Sequence, residues 1–168
     1  MHIAKYRKAL GIYQIAGGGA GLLMLALLLT SVHQPQGLTA LILLLAALFF
    51  MFSILAGWLC LRQYALAFTI TYINQLLQVP ALMLAGFGYK YVAGISLGLG
   101  IHLTHGFELA FSGGLSAFEL QFNQHFDTVQ LEVNLVAWWL LWWMDKQRRL
   151  SRRQAEEAAV AGLGAADE

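Results

Sequence analysis

Charge is scarce in this chain. Ten Lys or Arg and nine Asp or Glu supply all of it across 168 residues, 11% of the chain, against about 25% in an ordinary soluble domain. Apolar residues make up 59%. A soluble fold of this length has too little interior to hide that surface, so the expected surroundings are lipid. A net charge of +1 excludes the basic field on which nucleic-acid binding depends. The single cysteine, Cys60, excludes an internal disulfide. It lies in an apolar run, the setting of a small buried residue and not of a reactive thiol. G-x-S-x-G, H-E-x-x-H, a phosphate-binding glycine loop and C-x-x-C are all missing, and with them the common routes to catalysis. No cofactor and no metal is expected.

Long apolar runs are plentiful. Lys5, Arg7 and Lys8 precede a run from Ala9 to about Leu29, longer than the 7–15 residues of a cleaved signal and with no small-residue cleavage site after it. It reads as a retained span over 9–32. His33-Gln34-Pro35-Gln36-Gly37 forms a turn. A second span follows over 38–61, a tight turn at Arg62-Gln63, a third span over 64–86 and a fourth over 129–144. Nine of the ten basic residues then fall on one side, with Lys90 alone on the other, so both termini are expected in the cytoplasm. Trp138, Trp139, Trp142 and Trp143 sit where an interfacial aromatic belt belongs. The tail, 145–168, is expected to continue the last helix before fraying.

Between spans three and four, over 87–128, the periodicity changes. Every odd residue from Phe87 to Leu103 is apolar, and the even ones are Gly, Lys, Val, Gly, Ser, Gly, Gly and His. Alternation of this kind is a strand signature. It continues over 106–112 and 117–123, separated by the hairpin-type pair Gly113-Gly114. Three or four antiparallel strands are expected, the first long enough to be bent or broken. The fold class is therefore membrane α+β: one integral domain over 1–168, a four-helix transmembrane bundle with both termini inside and an extracytoplasmic antiparallel sheet inserted between spans three and four.

The apolar face of that sheet needs cover. The outer ends of the bundle, the headgroup layer or the same sheet in a second copy could supply it, so the expected partners are the lipid bilayer and a homo-oligomer, with no nucleic acid. Tyr91, Ile95, Leu97, Leu99 and Ile101 are the candidate interaction surface.

Span three carries Tyr72, Asn74, Gln75, Gln78 and Pro80 within nine residues. Buried amides in lipid need partners, so this face must meet another helix, a cavity or a ligand. Hydrogen bonding between helices at a Pro80 kink is the plainer reading, and a polar-ligand or headgroup site the sharper one. Gln14, Tyr13, Asn134 and Glu132 are candidate partners. Gly17-x-x-x-Gly21 and Ala16-x-x-x-Ala20 offer a small face for close helix packing, within the chain or between copies. His102, His105 and Glu108, with His125 and Asp127, have ligand chemistry, but three-residue spacing on strands points neighbours apart, and solvated turn residues are expected instead of a metal site. The basic run 146–153 is explained by topology alone. The expected function is that of a small polytopic membrane protein with a non-enzymatic structural or interaction role, its sheet used for assembly or docking. The alternative is binding or transport of a lipid or small molecule at the polar face of span three.

Overall fold

The computed structural model describes residues 2–31, 36–84, 86–103, 106–122 and 129–164. Helix α1 (His2–Ser31) and helix α2 (Gly37–Leu61) form an antiparallel hairpin. A Cβ added at Gly11 would meet the Gly57 carbonyl oxygen at 2.7 Å, and one at Gly57 the Gly11 oxygen at 2.5 Å. The two backbones can approach this closely only because both residues lack side chains. Farther along, Gly18 and Gly21 lie against Phe50 of α2, so the small face of α1 is used within the chain.

Both helices are long and apolar enough to cross a membrane, and most of each is exposed rather than packed in a core. Helix α3 (Ala67–Gln78) has 12 residues, a length of about 18 Å. Strand β1 (Pro80–Leu84) follows it directly. The third span expected over 64–86 is thus half helix and half strand. Pro80 is the cause: it lacks the N–H that would continue the helical ladder, and its ring crowds the preceding turn. The expected fourth span also divides. Its first residues are strand β6 (Gln130–Asn134), and helix α4 starts at Leu135 and runs to Gly164. Asn134 Oδ1 accepts from the Val136 and Ala137 N–H groups, an N-cap that starts the helix there. Among the described residues, two helices and not four meet the length and apolarity needed for a crossing.

The alternating segment breaks at Ala93–Ile95 into β2 (Phe87–Val92) and β3 (Ser96–His102), and β4 (Glu108–Gly114) and β5 (Ala117–Phe122) follow. With β1 and β6 they make one antiparallel sheet in the order β4-β3-β6-β1-β2-β5. Among the described residues the sheet therefore has six strands, two of them cut from segments expected to be helical. Gly113-Gly114 does not close a hydrogen-bonded hairpin, because β4 and β5 are the two opposite edges.

That order requires curvature. Gly114 and Ala117 are three residues apart and so at most about 11 Å from each other. In a flat sheet five inter-strand spacings would hold β4 and β5 on the order of 24 Å apart. The sheet must curl until its edges approach at this end. The pairing also sorts the side chains. Leu97, Leu99 and Ile101 share a face with Phe111, Leu109, Val133 and Leu131, and onward with Leu82, Tyr89 and Tyr91. Ser96, Gly98, Gly100, Ser112, Glu132 and Lys90 lie on the other face. Along β3 burial alternates, with Ser96, Gly98 and Gly100 buried and Leu97 and Leu99 exposed. The small and polar face is the concave one.

The β2 side of the apolar face packs on α2, where Tyr91 and Ala93 join Ala46 and Phe50 in a core. A second cluster of Leu10, Leu140 and Met144 ties α1 to α4.

Candidate functional site

The polar residues of α3 converge on one point. Asn74 Nδ2 donates to Gln14 Oε1 and to Ser53 Oγ, each at 3.2 Å. Ser53 Oγ in turn donates to the Gln14 carbonyl. The Tyr91 hydroxyl lies 2.8 Å from the Phe49 carbonyl oxygen and 3.1 Å from Asn74 Oδ1. Gln78 Nε2 donates to the Asn74 carbonyl, and Gln78 Oε1 accepts the Ala93 N–H at 2.8 Å. Asn74 and Gln78 thus tie α1, α2, α3 and the start of the β2–β3 connection together. Gln14, expected as a partner, is one; Glu132 and Asn134 lie in the sheet and at the α4 cap. Gln75 is fully buried, and neither of its amide atoms has a partner among the described residues. Tyr72 points away and stacks on Phe68, and Pro80 is exposed at the start of β1. One side chain below the amides, Thr71 Oγ1 and Cys60 Sγ lie 3.0 Å apart.

Of the candidate interaction surface, Tyr91 is fully buried in the core. Ile95, Leu97 and Leu99 are exposed, and Ile101 is half-buried. Leu109 and Phe111 extend the exposed patch, with Phe111 at 80%. Their strand periodicity signalled them, but only the register places them beside Leu99 and Ile101.

A second polar centre lies inside the curl. Glu132 is only 6% exposed. Its carboxylate accepts from Ser112 Oγ, from Lys90 Nζ at 3.4 Å and from Gln130 Nε2 at 3.3 Å. A Cβ at Gly98 would collide with this carboxylate, and one at Gly100 would stand 2.6 Å from the Leu131 carbonyl. The two glycines leave the space in which Glu132 sits. A cavity of about 160 Å³ opens beside it, lined by Tyr89, Lys90, Glu119, Gln130 and Glu132 among others. Lys90, Glu119 and Glu132 were visible in the sequence only as isolated charges; three separate strands bring them together.

The two connections at the near end of the sheet are clamped to α1. Ser116 Oγ donates to the Gly17 carbonyl and accepts the Gly94 N–H, and the Tyr13 hydroxyl contacts both the N–H and the carbonyl of Ile95 at 3.2 Å. A Cβ at Gly17 would meet the Ala93 backbone at 2.5 Å. His102 pairs with Glu108 across β3 and β4. His105, His125 and Asp127 lie outside the described residues, and among the described residues no three ligand-type side chains cluster. The chain matches no family model, no curated protein and no solved structure.

Proposed function

We propose that this chain is an integral membrane protein with a non-enzymatic role in assembly or docking, and that the uncovered part of its apolar sheet face is the contact surface. One observation carries the proposal. The face is apolar across all six strands, yet α2 covers it only on the β2 side, leaving Leu97, Leu99, Leu109 and Phe111 bare. Apolar outside and polar inside is the pattern of a sheet that faces lipid.

Depth supports the same placement. Arg7 marks the inner interface. Gly17, which receives the sheet's near end, is ten residues farther along α1, about 15 Å at the helical rise and half of a ~30 Å hydrocarbon core. Strands of five to seven residues then add roughly 16–23 Å. The sheet occupies the outer half of the bilayer beside α1 and α2, while α3 and the first turns of α4 fill the inner half. Both termini lie inside.

Placing Asp at Leu97 and Leu99 tests the contact surface. The purified double variant should lose the oligomeric state or partner of the parent. An unchanged state rules out docking at this face. The recess beside Glu132 favours a second role, binding of a small polar solute. Glu132→Gln should then abolish function while assembly persists.

A further inference from the structure

A second hollow with a charged rim lies away from the sheet. Between α1, α3 and α4, on the side of the Lys/Arg-bearing ends, lies a cavity of about 290 Å³. Its walls are apolar, formed by Leu10, Phe68, Trp143 and Met144. Thr71 and Cys60 bond to each other at its floor. Its rim carries two guanidinium groups, Arg7 and Arg148, and no carboxylate lines it. Among the described residues the ion pairs are Lys90–Glu132 and Arg149–Asp145, so neither rim arginine is neutralised by an acid. Arg7 Nη2 donates to the Tyr64 carbonyl at 2.8 Å, which holds the group in place and leaves its remaining N–H donors. The Arg148 guanidinium stands 5.3 Å from the centre of the Phe68 ring, a cation–π contact that draws it toward the cavity wall.

Two cations above an apolar hollow select a particular chemistry. A soluble anion would use the rim and gain nothing from the walls. A zwitterionic lipid would fill the walls but bring its own cation to the rim. An anionic amphiphile satisfies both, and a phosphate oxygen pair matches the guanidinium fork. The inner leaflet, where the basic residues place this end of the molecule, is also where anionic phospholipid is concentrated. We infer that this cavity binds the phosphate headgroup and first acyl segment of an anionic phospholipid. The inference rests on the membrane placement proposed above.

Native mass spectrometry of the full chain in mild detergent, with equal phosphatidylglycerol and phosphatidylcholine added, tests it. Phosphatidylglycerol should be retained in clear preference. The Arg7→Gln/Arg148→Gln variant should lose that preference by about thirtyfold, the equivalent of two interfacial charges. Arg152→Gln/Arg153→Gln, an equal charge change at exposed residues away from the cavity, should keep it. Equal retention of the two lipids by the parent overturns the site, as does equal loss of preference in the two variants, or displacement of the lipid by millimolar inorganic phosphate alone. Should the Arg7→Gln/Arg148→Gln variant fail to fold, the parent suffices: brominated phosphatidylglycerol should quench its tryptophan fluorescence more than brominated phosphatidylcholine at the same mole fraction, and equal quenching overturns the site. A chain that stays soluble without detergent would instead overturn the membrane placement.

Discussion

Asn74 is where α1, α2 and the sheet meet α3, because one amide donates to Gln14 and Ser53 while its oxygen faces Tyr91. Asn74→Leu leaves Gln14 Oε1 without a donor, while Ser53 and Tyr91 keep the Gln14 and Phe49 carbonyls, and a buried group left unpaired is costly. The variant should lose about 1–3 kcal/mol, read as a fall in the thermal midpoint in detergent. Gln75, one residue along, is equally buried and has no partner. Replacing an unpaired buried amide with a hydrocarbon of similar size removes a desolvation penalty, so Gln75→Leu should leave the midpoint unchanged or raise it. A fall of equal size in both variants would show that Gln75 has a partner of its own. Gly98 offers a third measurement. Gly98→Ala drives a methyl into the Glu132 carboxylate and should lower the yield of folded protein. Adding Glu132→Ala in the same chain should recover part of it, a coupling that two independent sites would not show.

At the level of elements, the junctions α3–β1 and β6–α4 decide the architecture. Their signals stand in the sequence: Pro80, with no N–H to donate, stops a helix and Asn134 caps one. What hides them is the apolar content of Pro80–Leu84 and the span-like flanks of Gln130–Asn134, since five apolar residues look alike in a buried helix and a buried strand. The alternation over 87–103 and its break are legible because a period of two survives an apolar background. The strand order is not legible, because it depends on pairings between residues up to about fifty positions apart that no local pattern encodes. The edges β4 and β5 carry a further consequence. Continuing the hairpin register from Gly114 and Ala117 sets Ser112 opposite Glu119 and Phe111 opposite Leu120, and every such pair agrees in face. Open edges do not persist in lipid, so in membranes this seam should zip. With Cys60 replaced by Ser, a Ser112→Cys/Glu119→Cys chain should form an intramolecular disulfide in membranes. A cross-link between chains would show instead that a second copy covers the edge.

For the whole molecule, sidedness is the first test. The far end of the sheet and the α4 tail lie at opposite ends of the structure, so a cysteine at Glu108 should react with an impermeant label from outside and one at Arg153 only after the membrane is opened. Labelling of both from one side would remove the proposed arrangement. The general character of the chain, two greasy helices, an alternating insert and a basic tail, follows from composition and periodicity. The candidate sites follow less well. The amides of α3 stood out because they are polar in an apolar run, but Arg7 and Arg148 are separated by most of the chain and become neighbours only when α1 and α4 pack.

The position of β6 has a consequence for how the molecule is made. It is the last strand among the described residues but lies in the middle of the sheet, between β3 and β1. Until residues 130–134 emerge from the ribosome, β1, β2 and β5 can form one ribbon and β3 and β4 another, without the ladders that β6 supplies to β1 and β3. Both ribbons are therefore made before the strand that joins their inner edges, and α4 follows that strand directly in the chain. The inner edges of β1 and β3 stay unpaired until β6 is made, and those are the edges that a growing chain must keep from other strands.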